Sequence, residues 1–144
     1  MTDDRGGPAP LPGEAAARMQ ARVRWPQNHG AQPGSRVRYD SIAALLNDYP
    51  EFQHLDRVGA ESGVHLAVRG TAFEMRSVTP YHSEFEYHTY ELTGVLPAPI
   101  QPEISVVAPA LGFPGGGWQI LFVDTSRSLW VSVADLIDKY GVIR

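Results

Sequence analysis

The side chains of this chain best suited to chemistry are two guanidinium groups, an imidazole and an amide, each in a short distinctive stretch: Arg57 in LDRVG, Arg76 in EMRSV, His88 in YHTY and Gln119 in GFPGGGWQI. The glycines at 115, 116 and 117 are costly to order, because glycine gives up more backbone freedom on folding than any other residue. A run of them directly before Trp118 and Gln119 marks a tight turn feeding a strand. Taken alone, each side chain has an ordinary structural use. Arg57 reads as a surface-turn ion pair with Asp56 or Glu61, a kind of contact that contributes little. His88 reads as an imidazole bonded to a neighbouring carbonyl, and Gln119 as a polar residue on the solvent face of a hairpin. Arg76 is harder to dismiss: it sits beside Phe73 and Met75, and a guanidinium close to a core face needs a partner or a ligand.

These residues must be positioned by strands. From Glu84 to Leu92, alternation puts Glu84, Glu86, His88, Tyr90 and Leu92 on one face and Phe85, Tyr87, Thr89 and Glu91 on the other. His82 continues the first row, so two imidazoles and two carboxylates could hold a metal there. Weighed against the ligand number and geometry that metals demand, a solvated polar face is the better reading, and no metal is expected. In WQILFVD, Trp118, Ile120 and Phe122 share one face and Gln119, Leu121 and Val123 the other, which aims Trp118 at the core. Asp40 or Ser41 can cap a helix with Ile42, Leu45, Leu46 and Tyr49 on one side, stopped by Pro50. Ser132, followed by Asp135, can cap a closing helix with Val133, Leu136, Ile137 and Tyr140 inward and Gly141 as terminator. Glycine- and proline-punctuated extended segments between these helices, without a regular βαβ alternation, predict an α+β fold: a compact, mainly antiparallel β core with a few short flanking helices.

Composition narrows the function classes. At 144 residues the chain suits one domain able to bury a sizeable core. Its net charge of -4 gives no basic footprint for nucleic acid or anionic lipid. It has no cysteine, which excludes disulfides, thiolate metal sites and a cysteine nucleophile. No apolar run approaches a membrane span and no signal peptide is visible. Residues 1–24 read as a flexible Pro/Gly/Ala-rich tail, whose Glu14–Val23 stretch could form a short helix only if docked. Residues 25–144 read as the functional domain. The Rossmann, P-loop, nucleophile-elbow and HExxH motifs are all missing.

An ordered series remains: WPQNHG, PGSR, LDRVG, GTAFEMRSVTP, YHTY and GFPGGGWQ. From Trp25 to the C-terminus this series resembles the tuberculosis necrotizing toxin family, whose domains are NAD+ glycohydrolases. The resemblance implies that Gln119, Arg76 and His88 are catalytic. It further implies that Arg57, His65 and Phe113 bind substrate, with Gly116 and Gly117 letting backbone approach the dinucleotide. NAD+, with NADP+ as a second substrate, would be cleaved to nicotinamide and ADP-ribose without any cofactor. An inhibitory immunity protein, a monomeric state, and secretion or delivery into a target-cell cytosol are implied in the same way.

The chemistry suits such residues. Nicotinamide leaves a pyridinium as a neutral molecule, so no acid need protonate it, and the barrier lies in the ribosyl cation. Arginines would hold the pyrophosphate, aromatics would sandwich the nicotinamide, and Gln119 would orient ribose hydroxyls or water. Transfer of ADP-ribose to a macromolecule and non-catalytic NAD binding are the alternatives. The chain departs from the family pattern at Val58, Val64, His65, Ala110, Leu111, Phe113 and Trp118, several of which stand where aromatics are expected. The helix over residues 41–49 also occupies a stretch where the pattern implies a more extended connection.

Overall fold

A computed structural model of the chain describes residues 30–76, 86–110 and 112–144. The tail with its Glu14–Val23 stretch, and also His82, Glu84, Phe85 and Leu111, lie outside the described residues. The strands are β1 (Val37–Arg38), β2 (His54–Val58), β3 (Leu66–Val68), β4 (Tyr87–Glu91), β5 (Ile100–Val106), β6 (Trp118–Asp124) and β7 (Leu129–Trp130). They form one 7-stranded sheet in the order β1-β5-β6-β3-β2-β4, with β7 added to β6. Every pairing is antiparallel. The α+β expectation is met.

Both described helices start where their caps predict. Ser41 Oγ accepts from the Ala44 amide at 3.0 Å and opens α1 (Ile42–Asp48), and Ser132 Oγ accepts from the Asp135 amide at 3.1 Å and opens α2 (Val133–Asp138). Pro50 does more than stop α1, because it starts a 3-10 turn over Pro50–Gln53 that brings Phe52 into the core. The closing helix is shorter than its periodicity suggests, ending at Asp138. Gly141 then turns the chain with φ 64°, and Ile143 and Arg144 run back against Leu92 and Glu91 at the β4 edge.

One face of the sheet carries the core. Leu55, Leu66, Tyr90, Ile104, Ile120 and Phe122 join Ile42, Leu45, Phe52, Val133 and Leu136 in a single buried cluster. Full burial of such a side chain contributes about 1.5–3 kcal/mol. Trp118 belongs to this face, its ring 5.0 Å from Tyr49 and 5.9 Å from Phe52, as alternation indicated.

Pro102 interrupts β5 without breaking it. Its carbonyl accepts from the Tyr39 amide, so its missing N–H lies on the side of the short strand β1, where a lost ladder bond costs least.

The opposite face is polar yet covered, and it buries Asp56, Glu103, Ser105 and Gln119. Register aligns Ser105, Gln119, Ala67, Asp56 and Thr89 in one row across five strands. Gln119 is therefore not on the solvent face of a hairpin. It stands on a central strand at 5% exposure.

Candidate active site

The chain before Arg76 is a single 3-10 turn, Phe73–Met75, with Arg76 as its C-cap. The guanidinium forks onto Asp56, with Nη1 donating to Oδ1 at 2.6 Å and Nη2 to Oδ2 at 2.8 Å, while Nε donates to the Thr71 carbonyl at 3.0 Å. Asp56 is fully buried, and its Oδ2 also accepts from the Tyr87 hydroxyl at 2.6 Å and the Gly70 amide at 3.0 Å. Both oxygens are thus engaged, as a buried carboxylate requires. The bond to Asp56, and then burial, push the Tyr87 hydroxyl pKa up.

The glycine run is fastened to this same turn. The Gly115 amide donates to the Glu74 carbonyl at 3.2 Å, and the Gly117 amide to the Met75 carbonyl at 3.1 Å. The Gly116 amide donates to the Val107 carbonyl at 2.8 Å, and the Val107 amide returns a bond to the Gly117 carbonyl at 2.8 Å. A Cβ on Gly115 would lie 2.5 Å from the Val107 oxygen at a φ of +70°, and one on Gly117 would lie 2.7 Å from Thr71 Cγ2. The close approach that demands glycine is therefore between chain segments. Gly116 is exposed, and nothing lies within 4 Å of where its Cβ would be. Phe113 packs edge-on against Phe73 with centroids 5.4 Å apart. From this loop β6 starts, and Gln119 Nε2 donates to Ser105 Oγ at 3.0 Å.

Arg57 and His88 are cross-strand partners on the other, core-side face. Arg57 is buried on β2, so the surface-turn ion pair expected for it is corrected: Nε donates to the Ala60 carbonyl at 2.7 Å and Nη1 to the His65 carbonyl at 3.0 Å. Burial pulls its pKa down, with Tyr90, Glu61 and Glu86 acting against that. The loop it holds receives α2, since the Val133 amide donates to the Gly63 carbonyl and the Ala134 amide to the Glu61 carbonyl, each at 2.8 Å. Tyr90 donates to Glu61 Oε2 at 2.6 Å, and burial followed by that bond raises its pKa. His88 stacks on Tyr90 at 6.2 Å, and its Nε2 lies 3.3 Å from Glu86 Oε2. That nitrogen is sealed from solvent without a hydrogen bond of good geometry among the described residues. His65 meets Arg57 through its backbone. Among the described residues, no group of three or more His, Asp or Glu side chains is placed to hold a metal.

The latch around Arg57 gives a test. A Cβ on Gly63 would fall 1.9 Å from Arg57 Nη2 and 2.5 Å from Cζ. The guanidinium is buried and tied to two carbonyls, so it can yield only by giving up those bonds. Gly63→Ala is expected to destabilise the fold by about 1–3 kcal/mol, measured as a shift in the urea midpoint at unchanged slope.

The sheet thus divides the residues singled out in the sequence. Gln119, Arg76, Phe113 and the glycines belong to the polar side, Arg57 and His88 face each other on the core side, and His65 reaches Arg57 through its backbone carbonyl. Asp56 and Tyr87 escaped sequence reasoning as members of the site. The signal was present, because each precedes a residue that was singled out and alternation sends it to the opposite face.

A single antiparallel sheet with short helices and a buried polar row on one face defines the protein as a small α+β domain organised around that row. The profile of the family described as Tuberculosis necrotizing toxin matches residues 50–143, and the chain belongs to this family of toxin domains. It is 35% identical over 129 residues, 87% of the chain, to the outer membrane channel proteins CpnT of Mycobacterium tuberculosis and Mycobacterium bovis. The chain spans 15% of the length of these curated relatives. A solved structure of tuberculosis necrotizing toxin complexed with its immunity factor IFT superposes with a TM-score of 0.77 at 31% identity, covering 98% of this chain and 76% of that one. No described helix is long and apolar enough to cross a membrane.

Proposed function

We propose that this chain is an NAD+ glycohydrolase, accepting NADP+ as well, and that it acts as a toxin by draining the dinucleotide pool of a target cell. One observation carries the reading: the two stretches chosen separately for their chemistry, EMR and GGGWQ, are hydrogen-bonded to each other, Gly115 to Glu74 and Gly117 to Met75. That contact brings Gln119 and the Arg76–Asp56 pair onto one sheet face, separated in the row by the small side chain of Ala67. The family membership supports the same activity.

NAD+ is the substrate, and no cofactor takes part. The C1′–N bond breaks with its electron pair moving to the pyridinium nitrogen, so nicotinamide departs neutral. Water adds through its oxygen to C1′ and gives its proton to solvent. The side chains contribute by position and charge. Gln119, oriented through Ser105, aligns the ribose hydroxyls or the water. Arg76 contacts the pyrophosphate with the N–H groups beyond the three spent on Asp56 and Thr71. That is a weaker hold than a fork, because the forked edge belongs to Asp56. Phe113 and exposed Gly116 lie along the approach. Arg57 and His88 keep β2 and β4 in place from behind. An inhibitory partner and delivery into the target cell are parts of this proposal, supported by the immunity factor in the relative's complex and by the channel proteins among the relatives.

Incubation of the purified chain with NAD+ is expected to release nicotinamide and free ADP-ribose in equal amounts, resolved by chromatography. A folded chain that releases neither would overturn the proposal, and ADP-ribose found only on added lysate proteins would replace hydrolysis by transfer.

A further inference from the structure

Tyr87 is an anomaly of this surface. It is a large aromatic at 54% exposure, on a strand at the end of the sheet. Exposed aromatic rings ordinarily move between rotamers, and holding one still costs side-chain entropy. Here the ring is pinned at its far end, because its hydroxyl donates at 2.6 Å to Asp56, which has no exposure of its own and is clamped by Arg76 and the Gly70 amide. The hydroxyl end of the ring is therefore held at the same carboxylate oxygen that Arg76 grips, while the residue as a whole stays 54% exposed. Met75, 38% exposed, ends the 3-10 turn directly before Arg76. A carboxylate that accepts a hydrogen bond from the phenol also pushes electron density toward the ring, which strengthens its attraction for a cation above its face.

Resting on the glycohydrolase reading, we propose that Tyr87 is a further substrate-contacting residue, a stacking platform for the positively charged nicotinamide ring, and that Asp56 is its positioning residue. The substrate's pyridinium is planar and cationic, whereas the product nicotinamide is planar and neutral. A cation–π contact to Tyr87 thus favours bound substrate over product and lapses as the C1′–N bond breaks. An interaction present in the bound substrate but lost in the transition state lowers KM and kcat together and leaves kcat/KM little changed. The platform binds and helps clear the product, and does not accelerate the chemical step.

The test uses the whole chain with two probes. The first is steady-state cleavage of NAD+ by wild type, Tyr87→Ala and Tyr87→Phe, each checked for an unchanged thermal midpoint. Tyr87→Ala is expected to raise KM about tenfold with kcat rising in step, so that kcat/KM changes less than about threefold, as loss of a desolvated cation–π contact made only to the bound substrate implies. Tyr87→Phe keeps the ring but frees it from Asp56, so its KM should fall between the two. The second is equilibrium binding of N1-methylnicotinamide, a pyridinium cation that cannot be hydrolysed, against neutral nicotinamide, followed by intrinsic fluorescence. Wild type should prefer the cation and Tyr87→Ala should not. A folded Tyr87→Ala with wild-type KM, or with the cation preference intact, would overturn the platform. The binding arm needs no turnover, so a wild type that prefers the cation but cleaves no NAD+ would sink the glycohydrolase reading and keep the platform.

Discussion

Gln119→Ala will lower kcat for NAD+ cleavage by about 10²–10³-fold, the usual cost of removing one preorganised polar group from a transition state. The side chain is buried at 5% exposure and its amide is held by Ser105, so the wild-type protein has already met the cost of orienting it. Truncation also leaves Ser105 Oγ without the Gln119 amide, which predicts a stability loss of about 1–3 kcal/mol. That loss is within what a small domain tolerates, and it must be measured beside the activity by urea unfolding. Ser105→Ala makes the informative comparison: it keeps the amide and removes its holder, so kcat should fall less than in Gln119→Ala. Wild-type kcat in a folded Gln119→Ala variant would remove the residue from the mechanism. If instead the two variants lose activity in proportion to lost stability, Gln119 is part of the packing alone.

What could be read from the sequence was local. The caps at Ser41 and Ser132, the alternation in WQILFVD and the core placement of Trp118 all depend on neighbours within a few residues, and the structure reproduces them. LDRVG reads as a turn because Asp and Gly are turn-rich residues, yet His54–Val58 is a strand flanked on both sides. Strand neighbours on both edges override such propensities, and they come from distant parts of the chain. The same distance hid Asp56. Nothing near it in sequence says that Arg76, Tyr87 and Gly70 will converge on it, since only the β2–β4 register and the 3-10 turn bring them together. The glycine run shows the complementary case. Its cost was legible from composition, but its use, fastening β6 to the turn that carries Arg76, required the fold.

Adjacent residues on opposite faces explain why these motifs come in pairs. In LDRVG, Arg57 faces the core side and latches the loop that seats α2, while Asp56 faces the polar side and holds Arg76. In YHTY, His88 faces Arg57 across the strands, while Tyr87 reaches Asp56. Each dipeptide therefore sends one residue to the core side and one to the polar side.

The consequence is largest at Asp56. Asp56→Ala is expected to destabilise the fold by about 3–5 kcal/mol, because it leaves the Arg76 guanidinium, with its side chain at 8% exposure, as a buried charge without its partner. The Tyr87 hydroxyl and the Gly70 amide lose their acceptor at the same time. Against a total stability of about 5–15 kcal/mol, this takes a large share. Asp56→Asn should cost less, since it keeps volume and one acceptor oxygen but turns an amide donor toward a guanidinium or hydroxyl donor. The sharper test is the double variant Asp56→Ala with Arg76→Met, in which no unpaired charge remains. Stability should then recover by at least about 1 kcal/mol over Asp56→Ala alone, because replacing both partners of a buried pair is cheaper than removing one. NAD+ cleavage should not recover, since Arg76 is gone. Urea unfolding at matched slope separates the two readouts. A double variant no more stable than Asp56→Ala would mean that Asp56 supports the fold through Tyr87 and Gly70 and not through Arg76. Recovered stability together with recovered turnover would place the pair outside the chemistry.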